Sequence, residues 1–121
     1  MPVRDRNASG GRGRENDPPL LILTSLASGA KHGYALLRDI EDFAGVRLGP
    51  GTLYGAISRL EERGLIEAVA SPGRARPYRL TANGSAALES TLAELGAIVE
   101  EGTTRLRAWV RPGATFGLGS T

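Results

Sequence analysis

The feature that most narrows what this chain can fold into is the stretch from Pro50 to Gly64, with two short extended segments close behind it. Leu53, Ile57 and Leu60 recur at spacings of four and three, which places them on one helical face. Thr52, Tyr54, Gly55, Ser58, Arg59 and Glu62 point elsewhere. The helix therefore has one apolar face to dock and one small, polar, Arg-bearing face to present. Pro50 suits an early helical position, where a missing N–H costs nothing, and Gly64 suits the left-handed residue that closes a helix. Leu65–Ala70 then reads as a strand, Ser71-Pro72-Gly73 as a turn, and Pro77–Leu80 as the returning strand, with Arg74 and Arg76 at the tip. Tyr78 and Leu80 share one face of that strand and Arg79 takes the other. So short a hairpin is marginal alone in water and must lean on helices.

Two further helices are expected upstream. Asp17-Pro18-Pro19 supplies a capping carboxylate and then Pro at the first helical positions; Leu20, Leu21, Ile22, Leu23 and Leu26 follow, and Gly29 stops the run. This helix is apolar on more than one side, so more than one neighbour must bury it, and a second subunit is one candidate. The second helix opens at His32-Gly33-Tyr34, with Tyr34, Leu37, Ile40 and Phe43 along one face, Arg38, Asp39, Glu41 and Asp42 on the other, and Gly45 at its end. A lone His just ahead of a helix hydrogen-bonds locally or touches phosphate more readily than it acts as a switch or a ligand. Residues 46–49 make a short turn in which Leu48 fills the corner, giving helix, turn, helix. Three helices and a two-stranded wing make residues 17–81 a winged helix-turn-helix, the kind of module that presents one helix to a DNA groove. The fold class is mainly α, in keeping with 121 residues, 40% hydrophobic but only 5% aromatic.

Residues 82–111 are predicted to form one long helix, started by Thr81 as its cap. Leu88, Leu92, Leu95, Val99, Gly102, Leu106 and Trp109 alternate spacings of four and three, a 3.5-residue repeat typical of a seam between paired helices. The expectation is a dimerisation helix; the alternative is a helix that caps its own domain. Gly102, beside Thr103 and Thr104, marks an expected weak point, close contact or kink. Pro112-Gly113 ends the helix, leaving residues 112–121 as a flexible tail. Residues 1–16 carry Arg4, Arg6, Arg12 and Arg14 among Gly, Ser and Asn, a composition that cannot offset its ordering entropy. Such an arm either reaches DNA or is a frayed terminus.

Composition excludes several classes of function. With no Cys and one His, thiolate metal sites, disulfides and Cys nucleophiles are absent, and no cofactor is expected. No paired carboxylates, phosphate loop or activated nucleophile points to an enzyme. The net charge of +2 is mild, but 14 of the 15 basic residues are Arg, the side chain suited to phosphate and guanine; a GC-rich genome produces the same bias. No apolar run reaches the ~18–20 residues of a membrane span, and the polar N-terminus lacks a signal-peptide core, so a cytoplasmic protein is expected.

The runs H-G-Y at 32–34, P-G-T-L-Y at 50–54, R-L-E-E-R-G-L-I at 59–66 and Y-R-L-T-x-x-G at 78–84 together resemble the PadR family of bacterial transcriptional regulators. The resemblance covers about residues 18–90, and the order and spacing of the motifs make it specific. It implies an N-terminal winged helix and a C-terminal helix through which the family dimerises, here in the short form with a single such helix, and the expectation is a homodimeric repressor of a double-stranded DNA operator. It places Gly51, Thr52, Tyr54 and Ser58 or Arg59 at the DNA surface, with His32 and Tyr34 flanking it and the phosphate grip of the wing resting on Arg74 and Arg76. Leu88, Leu92, Leu95, Val99, Leu106 and Trp109 would form the dimer seam. It also allows a small aromatic or amphipathic effector near Trp109, Phe116 and the first helix, although a Trp on the seam serves more readily as packing. Gly55 stands where the family often has Pro. The rival from another class is a winged helix that docks on a partner protein without reading DNA.

Overall fold

The computed structural model describes residues 17–73 and 76–109. The order is α1 (Pro18–Leu26), α2 (Gly33–Ala44), α3 (Pro50–Glu62), β1 (Ile66–Ala68), β2 (Tyr78–Leu80) and α4 (Ala82–Ala108). Asp17 caps α1, its carboxylate accepting from the Leu20 N–H at 3.3 Å. The helix stops at Leu26 rather than running on to Gly29, whose φ of 138° turns the chain. Gly45 and Gly64 close α2 and α3 in the left-handed region, at φ 69° and 75°. A Cβ is disfavoured at both.

The core is a single aliphatic cluster. Leu21, Ile22, Leu23 and Leu26 of α1, Leu36 and Ile40 of α2, and Leu53, Ala56, Ile57 and Leu60 of α3 are buried together with Leu48, Leu65, Ile66 and Leu88. On α2 the expected apolar face is rotated. Gly33, Leu36 and Ile40 are the buried residues, Leu37 packs at the edge of the cluster, and Tyr34 and Phe43 are exposed. Asp39, expected on the outer face, instead accepts the Ser25 hydroxyl at 2.6 Å, which satisfies the one buried polar side chain among the described residues.

The wing pairs antiparallel, with Ile66 opposite Leu80, Glu67 opposite Arg79 and Ala68 opposite Tyr78. A bridge outside the hairpin adds Lys31: its N–H donates to the Tyr78 carbonyl at 3.1 Å and its carbonyl accepts from the Tyr78 N–H at 2.9 Å. The chain ahead of α2 is thus stitched to the wing. The Lys31 ammonium donates to the Ser25 carbonyl at 2.5 Å and to the Ser28 hydroxyl at 2.8 Å, which ties the same point to the end of α1.

Thr81 starts α4, accepting from the Gly84 N–H at 3.0 Å while donating to the Gly64 carbonyl at 2.6 Å. α4 runs unbroken through Gly102, where a weak point was expected, and ends at Ala108 rather than residue 111. One Gly costs about 1 kcal/mol in a helix interior, and around it the Thr104 hydroxyl bonds the Glu100 carbonyl at 2.9 Å while Arg105 pairs with Glu101 at 2.8 Å. Two compact units meet in sequence between Glu89 and Ser90. Among the described residues no helix is long and apolar enough to cross a membrane.

Candidate nucleic-acid interface

α3 has the two-faced character its sequence predicts. With Leu53, Ala56, Ile57 and Leu60 buried, Gly51, Thr52, Tyr54, Ser58 and Arg59 are all exposed and Gly55 is half-buried. The two halves of the helix-turn-helix also share a start without a side-chain cap. His32 precedes α2 and Gly49 precedes α3, and neither gives its helix a side-chain cap. α1 and α4, by contrast, are capped by Asp17 and Thr81. The first-turn N–H groups of α2 and α3, with no capping side chain, carry the positive end of each helix dipole, an arrangement suited to anionic oxygens.

The exposed aromatic residues are differently held. Tyr34 is 69% exposed; Arg38 lies one turn on, donating to its hydroxyl at 3.5 Å with the guanidinium carbon 5.8 Å from the ring centroid. Tyr54 is 49% exposed, and its hydroxyl end reaches the backbone of Gly33 at the first turn of α2. Tyr78, half-buried in the wing, has its phenol pKa raised by burial, with Glu61 and Tyr54 adding to the effect and Arg76 opposing it. Tyr54, Glu61, Tyr78 and Arg76 are therefore electrostatic neighbours where α3 meets the wing.

The positive balance of the wing is smaller than its composition implies. Arg79 is ion-paired across the strands to Glu67 at 2.8 Å. Arg76 is exposed, and Arg74 lies outside the described residues. His32 is exposed just before α2.

In the second unit Leu92, Val99, Leu106 and Trp109 are exposed and Leu95 is half-buried. Leu88, which the repeat puts first on the seam, is instead buried in the chain's own core, so the exposed stripe starts at Leu92. Ile98, absent from the repeat, is as exposed as Val99. Phe116, the other half of the expected effector wall, lies outside the described residues. A groove does exist among the described residues, but on α2 and the turn after it, lined by Tyr34, Leu37, Arg38, Glu41, Asp42 and Arg47, with Arg47 already paired to Glu41 at 2.9 Å. Among the described residues no three potential metal ligands are grouped.

Sequence reasoning missed several participants. Lys31 was unreadable because a one-residue bridge has no period. Arg38 carried a signal, its spacing of four from Tyr34. Gly33 and Gly84 carried one only through their motifs, since neither has a positive φ. A Cβ on Gly84 would strike the Leu65 carbonyl oxygen and approach its carbon at 2.9 Å, so the start of α4 can approach the wing only without one.

Comparison with known proteins agrees with this architecture. The model of the transcriptional regulator PadR-like family matches residues 22–90. A 37.1 kDa uncharacterized protein in transposon Tn4556 of Streptomyces fradiae is 49% identical over 76 residues, covering 63% of this chain but only 22% of that protein. A PadR family transcription regulator from Clostridium difficile is similar with a TM-score of 0.65 and 28% identity, over 74% of this chain and 97% of that one. A PadR family transcriptional regulator from Eggerthella lenta gives a TM-score of 0.69 and 25% identity, over 85% and 94%. With more than half of the sequence matched by the family model, and with the helices and wing in the arrangement these neighbours share, the chain belongs to the PadR-like family of transcriptional regulators.

Proposed function

We propose that the chain is a homodimeric repressor that reads a double-stranded DNA operator with α3 and grips it with an Arg-bearing wing. The observation that carries this reading is the contrast in capping: α2 and α3 leave their first N–H groups without a side-chain acceptor, whereas α1 and α4 do not. Phosphate oxygens flanking the groove supply the missing acceptors. Gly51 and Thr52 let the backbone come close, Tyr54, Ser58 and Arg59 face the bases, and His32 and Tyr34 meet the flanking strand. Arg74 and Arg76 hold phosphates at the wing.

Residues 17–81 act as the DNA-binding domain in this reading, and α4 beyond Glu89 pairs two copies through Leu92, Leu95, Val99, Leu106 and Trp109. Two α3 helices then enter successive major grooves about one helical turn apart. A small aromatic effector near Trp109 belongs to the same proposal, and tryptophan fluorescence that ignores a panel of such compounds counts against it. The site of action is the cytoplasm.

Footprinting on the DNA upstream of the chain's own gene, followed by titration at several salt concentrations, tests the reading. Neutralising ~6–8 phosphates across the dimer gives a log–log slope of about −5 to −7. Arg76→Ala weakens binding to all sequences alike, whereas Arg59→Ala loses about 1–3 kcal/mol of discrimination between operator and random DNA. A flat salt response sinks the electrostatic account, and equal losses on both DNAs for both variants remove Arg59 from the base-reading set.

A further inference from the structure

We propose that Gly33 is a positioning residue for DNA reading: its bare backbone seats the outer edge of the Tyr54 ring and so fixes where that ring stands at the start of α3. The inference rests on the reading of α3 as the DNA-facing helix. Gly33 is the first residue of α2, is buried, and has no positive φ, so backbone conformation does not call for a glycine there. Helix propensity alone favours Ala at such a position. What excludes a side chain is Tyr54. A Cβ on Gly33 would collide with the Tyr54 hydroxyl oxygen and would stand 2.7 Å from Cζ and 3.3 Å from Cε1.

All three obstructing atoms belong to the far end of one side chain that is half exposed. The collision is therefore relieved by swinging the ring outward, toward the face that meets DNA, rather than by moving a helix. Gly84 shows the opposite case, since its obstruction is the Leu65 backbone, which cannot swing. The seat is also well anchored. Lys31, two residues before Gly33, is bridged to Tyr78, and Tyr78 is an electrostatic neighbour of Tyr54. The ring thus stands where α3 meets the start of α2. Gly55 follows it with no side chain to brace that turn, and the nearest atom a Cβ there would meet is the Arg59 guanidinium at 3.7 Å. The bracing comes from the contact across to α2.

The test compares the full chain with Gly33→Ala, Tyr54→Phe and the double variant Gly33→Ala/Tyr54→Phe. Three readouts are needed: affinity for the footprinted DNA and for random DNA, the rate of Tyr54 nitration by tetranitromethane located by peptide mapping, and thermal melting. Gly33→Ala is expected to weaken specific binding roughly tenfold, a middle value for two coupled contacting residues, while random-DNA binding stays within about twofold. Nitration of Tyr54 rises toward the rate of the more exposed Tyr34. The double variant, lacking the hydroxyl that collides most closely, binds the footprinted DNA nearly as Tyr54→Phe alone does, so the two substitutions are not additive. If Gly33→Ala alone does not fold, the double variant must restore the melting transition. Unchanged Tyr54 nitration in a folded Gly33→Ala protein, additive losses, or a double variant that stays unfolded each overturn the proposal. A wild-type chain with no preference for any DNA refutes the DNA reading instead, and with it the role of the seat, while nitration still reports whether the contact exists.

Discussion

The two units of the chain use the same kind of residue for opposite ends. Up to Glu89, most leucines and isoleucines of α1, α2 and α3 are buried in one cluster that the chain closes by itself, with Leu20 and Leu37 packed at its edge. From Ser90 onward, Leu92, Ile98, Val99, Leu106 and Trp109 stand in solvent on a helix with no core of its own among the described residues. Helical spacing of apolar residues marks both, so spacing alone does not say whether a face is filled from within the chain or from outside. The difference lies in what holds each part together. The first unit is stabilised by burial within one chain, independent of concentration, and the second by local helix terms plus whatever its stripe docks on.

That comparison is broken or sharpened most strongly by matched truncations. Leu53 is fully buried and Leu106 is 67% exposed, yet both are leucines on a helix. Leu53→Ala is expected to cost about 2–5 kcal/mol in the unfolding of the first unit at any protein concentration. Leu106→Ala is expected to leave that unfolding unchanged in dilute solution and, on the proposed pairing of two copies, to weaken self-association, shifting the dimer midpoint in sedimentation to higher concentration. A Leu106→Ala variant that melts as early in dilute solution as Leu53→Ala would mean that the stripe is covered within the chain.

Next in size is Gly84→Ala, set where α4 leaves the first unit. Its Cβ would meet the Leu65 backbone, so α4 or β1 must shift, and overpacking of this kind costs about 1–3 kcal/mol. Chemical denaturation of a dilute sample should show that loss with the midpoint moved and the slope kept. Stabilisation, as helix propensity alone would give, would show that the approach of α4 to the wing is looser than the structure has it.

The residues that were legible in the sequence are those whose requirement is local. Asp17 as a cap, Gly45 and Gly64 as left-handed closures, the Leu53–Ile57–Leu60 face and the alternation of Tyr78, Arg79 and Leu80 all follow from a few neighbouring positions. What stayed hidden depends on partners far along the chain. The sequence period puts Tyr34 on the apolar face because an aromatic ring fits it, whereas the buried face passes through Gly33 and Leu36, where the first position offers no hydrophobic signal at all. Leu88 fits the seam of the repeat and the core equally well, and only the packed structure puts it in the core. At the interface, the exposure of Thr52, Tyr54, Ser58 and Arg59 was readable from the face opposite Leu53, but the pairing of Arg79 with Glu67 required the register of the wing.

The smallest effects come from the two ends of α4, which begins in one unit and finishes in the other. At its start, Thr81 both accepts from the Gly84 N–H and donates to the Gly64 carbonyl, so Thr81→Val removes a cap and a tie to the end of α3. A loss of about 0.5–2 kcal/mol in global stability is expected, because this end is locked into the core unit. Near the other end, Glu101 and Arg105 form an exposed pair one turn apart, worth only about 0.3–0.5 kcal/mol. Glu101→Gln should leave global unfolding untouched and instead speed amide exchange over residues 100–108 in dilute, monomeric samples, an increase that added salt mimics in the wild type by screening the pair. If α4 pairs two copies as proposed, the same substitution should have little effect on exchange at concentrations that favour the dimer, since packing of the stripe then holds the helix. Fast exchange that persists at high concentration would place the partner contact nearer Leu92 and leave the last turns of α4 unpaired, which would confine the dimer seam to its first half.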